Sequence, residues 1–170
     1  MALVSLQNER SQRTCSESVL EYLIGETIRY YRERDTTESS SGAPVALPLE
    51  EVGVQVGKVL GERLSHDREP MVEVLDIMKW ICKEFWNEVF LKGIDNLRTN
   101  HKGTFVLRDT QFRWTLRLSQ NVYGGVQRIP NDVLAADYLA MPCGILKGVL
   151  ESFGLEAQIQ QRYHNVILQL

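Results

Sequence analysis

The chain has 170 residues, 44% of them hydrophobic and 24% charged, with a formal net charge of −3. That length is one domain's worth and can bury a self-sufficient core, while the acid excess excludes a general nucleic-acid binder, which needs a basic footprint. The three cysteines, Cys15, Cys82 and Cys143, are odd in number and form no CxxC pair, which excludes a disulfide framework and favours a reducing compartment.

The opening MALVSLQNERSQR has too short an apolar start for a signal peptide, and residues 1–13 are expected to be a flexible N-terminus. No uncharged run approaches the ~20 apolar residues needed to cross a bilayer. A soluble, cytosolic single domain over residues 1–170 is the expectation.

Thr14 and Glu17 make a capping box. The helix behind it carries Leu20, Leu23, Ile24, Thr27, Ile28 and Tyr31 on one face and should stop by Arg34. Residues 35–46, DTTESSSGAPVA, are Ser/Thr-rich with nothing to bury, and read as a surface loop. Pro48 suits the first turn of a second helix, with Glu50 and Glu51 complementing its dipole. In LEEVGVQVGKVLGERL, Gly53, Gly57 and Gly61 recur every fourth residue beside Val52, Val56, Val59 and Leu60. Each interior glycine costs about 0.5–1 kcal/mol relative to alanine. Three in register therefore imply that another backbone comes close, within the domain or across a subunit contact.

Pro70 should open a third helix running to about Leu91, apolar on more than one face through Ile77, Met78, Trp80, Ile81, Cys82, Phe85, Trp86, Val89 and Phe90. The following KGIDNLRTNHKG is polar with two apolar anchors, Ile94 and Leu97. It is either a well-capped connector or a surface recognition element. A strand over Thr104–Leu107, a turn over Arg108–Gln111 and a strand over Phe112–Leu118 come next. In the latter Phe112, Trp114, Leu116 and Leu118 alternate with Arg113, Thr115 and Arg117.

After a loop over Asn121–Asn131, Asn131 or Asp132 caps a fourth helix, which Pro142 should kink and in which Ala140, Gly144 and Gly148 lie four apart. Gly154 stops it, and Leu155–Leu170 should hold two last strands. Helices first, then a hairpin, a helix and terminal strands give an α+β fold.

Chemistry is harder to find. The glycine run is no transmembrane dimer face, because Glu50, Glu51, Lys58, Glu62 and Arg63 interrupt it. Nor is it a phosphate loop, whose spacing and hydroxyl are both missing. His66, His101 and His164 are far apart, with no partners at metal-ligand spacing. Cys82 lies in an apolar helix, where a thiol is inert. No catalytic residue, cofactor site or metal site is expected, and the chain is read as a non-enzyme.

DIMKWICKEFWNEVF, IDNLRTNHKGTFVLRDTQFRW, YLAMPCGILKGVLESFGL and the glycine pattern over Gly53–Arg63 resemble the sixth-subunit branch of the small TRAPP (transport protein particle) subunits, from about Leu49 to Gly154. That resemblance implies four helices packed on a small antiparallel sheet. It also implies a cytoplasmic tether acting between the endoplasmic reticulum and the Golgi, peripheral at cis-Golgi and endoplasmic reticulum membranes.

The branch pairs with the homologous third subunit mainly through its first two helices. The assembly activates a Rab-type GTPase through other subunits. On this chain the pairing surface would comprise Leu20, Leu23, Ile24, Ile28, Val52, Gly53, Val56, Gly57, Val59 and Leu60.

There are departures from the pattern. The third-subunit branch has an acylated cysteine before its third helix, where this chain has His66, Asp67, Arg68 and Glu69. Acylation is therefore not carried over. The loop over residues 35–46 is long and the terminal strands are short. The alternative reading is a small-ligand or acyl-chain binding module lined by Phe85, Trp86, Trp114 and Cys143.

Overall fold

The structure is a computed structural model that describes residues 16–38, 46–100, 102–116, 131–162 and 165–170. In order they form α1 (Glu17–Glu38), α2 (Ala46–Ser65), α3 (Val74–Trp80), a π-helical segment (Ile81–Phe85), α4 (Trp86–Phe90), β1 (Asn96–Thr99), β2 (Thr104–Arg108), α5 (Arg113–Leu116), α6 (Asn131–Ser152), β3 (Gln158–Arg162) and β4 (Asn165–Gln169). This is an α+β fold, with four helical runs and the one-turn α5 packed on an antiparallel sheet of order β1-β2-β4-β3. Thr14, His101, His164, Arg117, Leu118 and most of the Ser/Thr-rich loop lie outside the described residues.

Register explains where the core sits. Phe105 pairs across to Leu168, which pairs to Ile159, and Leu107 pairs to Leu97 and Val166. Alternation therefore puts these side chains on one face of the sheet. Against that face pack Ile77, Met78, Ile81 and Phe85 from one helical run and Ile145, Leu146, Val149 and Leu150 from α6.

The third helical run begins at Val74, not Pro70. Glu73 is extended (φ −79°, ψ 127°) and its carbonyl takes the Ile77 N–H at 3.1 Å. Within the run the Trp86 N–H reaches back five residues to the Ile81 carbonyl. The Cys82 carbonyl in this widened turn accepts the N–H of Ile94 at 3.0 Å and ties the following joint to the helix. Leu91 ends the run in the left-handed region (φ 57°).

The hairpin differs from expectation. Its strands are β1 and β2, so part of the polar joint is itself a strand, while Arg113–Leu116 is a helical turn and not a strand. Strand β2 has β1 on one edge and β4 on the other, which leaves no ladder position for the segment after Gln111. That segment turns instead: Thr115 donates both its N–H and its hydroxyl to the Phe112 carbonyl, at 3.1 and 2.9 Å. Phe112 and Trp114 then stack edge-on against Phe90 at 5.1 and 5.3 Å.

Helix α1 runs to Glu38, four residues past the expected stop at Arg34. Helix α6 continues through Pro142 to Ser152, and Gly154 (φ 74°) stops it two residues on. There the N–H groups of Gly154 and Leu155 bond the Glu151 and Leu150 carbonyls, a Schellman cap.

Candidate functional site

The glycines set the scaffold of the helical face. A Cβ built on Gly53 or Gly57 would overlap the backbone carbonyl of Met141 or Ile145 of α6. On α6, Gly144 and Gly148 stand equally close to the Glu50 and Val54 carbonyls of α2. The two helices thus mesh glycine into backbone, and the close approach read from the spacing lies within this chain. Lys58 with Glu151 (2.9 Å) and Lys147 with Glu50 (3.3 Å) bridge the same pair of helices at the rim.

With that side of α2 occupied, its other apolar side chains point elsewhere. Val56 and Leu60 are half-buried against the core, whereas Val52 and Val59, two turns apart, are 41% and 65% exposed. Helix α1 is divided in the same way. Ile24 and Ile28 are buried in a small cluster with Leu49, Tyr138 and Ala140. Leu20 and Leu23, on the adjoining stripe, are 40% and 62% exposed.

Of the ten residues expected at a partner surface, Leu20, Leu23, Val52 and Val59 are therefore open. Ile24, Ile28, Gly53 and Gly57 are covered by the chain itself. Sequence reasoning missed Val19, one turn before Leu23, and Tyr30, two turns after it, which are likewise exposed. Extending the i, i+4, i+7 rule past the first strong stripe would have found them.

A buried ion pair ties α1 to α6. Asp137 on α6 is buried and accepts the Arg32 Nε at 2.5 Å, with a second guanidinium nitrogen on the same oxygen. Burial pushes the Asp137 carboxyl above the ordinary range, although Arg32 opposes that shift.

The polar joint is a structural clasp. Asp95 accepts the backbone N–H of Thr110 at 2.8 Å and its hydroxyl at 2.7 Å, and pairs with Lys92 at 2.9 Å. The backbone bond first, then Lys92, hold its carboxyl well below the ordinary range. Buried Asp109 takes Lys92 at 2.5 Å and the Trp86 indole N–H at 3.1 Å. The Asn100 side chain accepts the Lys102 and Thr104 N–H groups and closes the β1–β2 turn.

A model of the family described as transport protein particle (TRAPP) component matches residues 20–168. The chain belongs to this family. Among TRAPP proteins it is 40% identical over 141 residues to trafficking protein particle complex subunit 6b of Danio rerio, covering 83% of this chain and 85% of that one. It is 36% identical over 143 residues to subunit 6A of Bos taurus, covering 84% and 86%. It is thus a TRAPP small subunit of the sixth-subunit branch and a component of a vesicle-trafficking complex.

Its fold is similar to that of trafficking protein particle complex subunit 3 from Naegleria fowleri, a protein described as covalently bound to palmitic acid. The TM-score is 0.62, with 14% identity, and the match covers 91% of this chain and 96% of that one. At that identity the likeness is one of fold.

A TRAPP subunit that held a ligand of drug size would need a pocket of roughly 300–1,000 Å³. Between α4, α6 and the sheet lies a cavity of about 40 Å³ lined by Trp86, Phe112, Cys143 and Leu146 among others. Of the four expected linings, Trp86 and Cys143 are there, while Phe85 and Trp114 are not. Burial raises both the Cys82 and the Cys143 thiol to about 12, which leaves neither as a nucleophile at neutral pH.

Proposed function

We propose that the chain is a non-catalytic structural subunit of the TRAPP tether in endoplasmic reticulum-to-Golgi transport. In this reading it pairs with the homologous third subunit through the outer faces of α1 and α2. The observation that carries the proposal is the half-covered α1: Val19, Leu20 and Leu23 present adjoining apolar side chains to solvent beside the buried Ile24 and Ile28, with Tyr30 two turns further on beyond Glu26 and Thr27. Each such side chain gains about 1.5–3 kcal/mol when fully buried, and an apolar stripe of this size on a soluble chain marks an interaction surface. Val52 lies one turn beyond Leu49, which packs with Ile24 and Ile28, so the exposed valines of α2 begin beside the seam where α1 sits. The shared fold of a third subunit supports the pairing of like with like. The protein works at cis-Golgi and endoplasmic reticulum membranes through the complex, and other TRAPP subunits are its partners. The cavity at Trp86 and Cys143, at about 40 Å³, is too small to hold an acyl chain.

Co-expression with a third-subunit homologue and size-exclusion chromatography test the pairing. The two chains are expected to co-elute, and the double variant Leu23→Glu with Val59→Glu to elute alone. Its own thermal midpoint should stay within a few degrees of the parent's, because both positions are exposed. Separate elution of the unaltered chains would remove the proposal's basis.

A further inference from the structure

The sheet has a second face, and its composition is unlike the rest of the chain. The four strands, NLRT, TFVLR, QIQQR and NVILQ, contain three arginines and none of the 22 acidic residues of a protein whose net charge is −3. On the side away from the core, register aligns Arg98, Val106, Ile167 and Gln160 across all four strands. In the next row Arg108 stands beside Asn96. Val106 and Ile167 are half-buried side by side yet belong to neither core cluster. Arg98 and Arg108 are exposed, and neither guanidinium meets a carboxylate among the described residues. The nearest acids along the chain are both committed elsewhere: Asp95 to Lys92 and Thr110, and Asp109 to Lys92 and the Trp86 indole.

We propose that this outer sheet face is a second docking surface, and that its occupant is an acidic stretch of a protein partner whose carboxylates reach Arg98 and Arg108 around an apolar side chain seated on Val106 and Ile167. An apolar centre, arginine rather than lysine, and a rim of side-chain amides are the anatomy of a protein interface. Arginine also forks onto a carboxylate with two parallel bonds.

Charge disfavours this same face of a second copy as the occupant. A two-fold contact of this face with itself sets arginine against arginine with no acid between them. Lipid is disfavoured too, because anionic membranes are read by clusters of about 4–8 basic residues and the strands hold no lysine.

Size sets the strength. Four strands about 4.8 Å apart and five residues of about 3.3 Å give roughly 250 Å² of face. That is well below the ~800 Å² each partner gives to a standard interface, so the contact belongs to the weak, salt-dependent class. It goes beyond the α1–α2 pairing and lies on different elements.

The test uses the full, isotope-labelled chain and a synthetic peptide of alternating glutamate and leucine. At low salt the peptide should bind with micromolar affinity and bind several-fold more weakly at physiological salt. Amide shifts should be confined to the neighbourhood of Arg98, Val106, Arg108 and Ile167, and a lysine–leucine counterpart should not bind. Arg98→Glu with Arg108→Glu is expected to weaken binding at least tenfold with the thermal midpoint retained. Arg98→Gln with Arg108→Gln gives the same reading should the reversal impair folding. No peptide binding, unchanged affinity in both double variants, or shifts on α1 and α2 instead would overturn the proposal. So would arginine-dependent binding to phosphatidylserine vesicles in place of the peptide.

Discussion

Gly57 shows how much one missing methyl can matter. A Cβ there would stand inside the Ile145 carbonyl, 2.9 Å from the Ile145 Cα, and the obstacle is backbone, which cannot rotate away. Gly57→Ala gains about 0.5–1 kcal/mol of helix propensity but must push two helices apart. Overpacking of that kind costs typically ~1–3 kcal/mol. The variant should unfold at lower urea concentration with an unchanged slope. The four-residue glycine spacing was fully legible in the sequence. Whose backbone it admitted was not, because spacing on α2 says nothing of which helix lies opposite. Asp95 behaves differently. Its carboxyl titrates below the ordinary range in the folded chain, so the stability it supplies is present above that range and is lost as pH falls through it, between about pH 5 and pH 2. Asp95→Asn should therefore be less stable at neutral pH and show a flatter loss over that window, as read by chemical denaturation at several pH values.

At the level of elements, the helices were legible and the hairpin was not. Period-3.6 patterns located α2, α6 and the run over 74–90, because those stripes face a continuous core. Phe112 and Trp114 alternate like strand residues, and only the two occupied edges of β2 exclude a third strand there. That is a non-local fact no window of sequence contains. Strand β1 was missed for the converse reason: Asn96 and, just past the strand's end, Asn100 have weak strand propensity, and β1 exists because β2 offers it an edge. Leu91 is a local exception of another kind. It closes α4 in the left-handed region, where a side chain costs roughly 1–2 kcal/mol, and it is 65% exposed, so little packing offsets the cost. Leu91→Gly should raise stability by about 1 kcal/mol in urea titrations. A loss would mean that the exposed leucine packs on something.

For the whole molecule, the distribution of buried contacts divides the chain into a firm body and a loosely attached helix. The body has α2 and α6 interlocked and a continuous core reaching from Ile77 to Leu168. Helix α1 adds Ile24, Ile28, the half-buried Tyr31 and the Arg32–Asp137 pair. The ion pair is a modest attachment, since Asp137 is buried at a desolvation cost that its partner only partly offsets. Local opening follows contact density. In the isolated chain, α1 amides should exchange with solvent orders of magnitude faster than those of α6. A partner that binds only the folded form stabilises it by mass action, by about 2.7 kcal/mol at a hundredfold excess over its dissociation constant. If that partner covers Leu20, Leu23 and Tyr30, the gain falls on α1 first. Hydrogen exchange of the chain alone and in the co-purified pair should then show protection rising by about a hundredfold across α1 and the exposed stripe of α2, while α6 changes little. Protection confined to the sheet would place the homologous partner on the other side of the molecule.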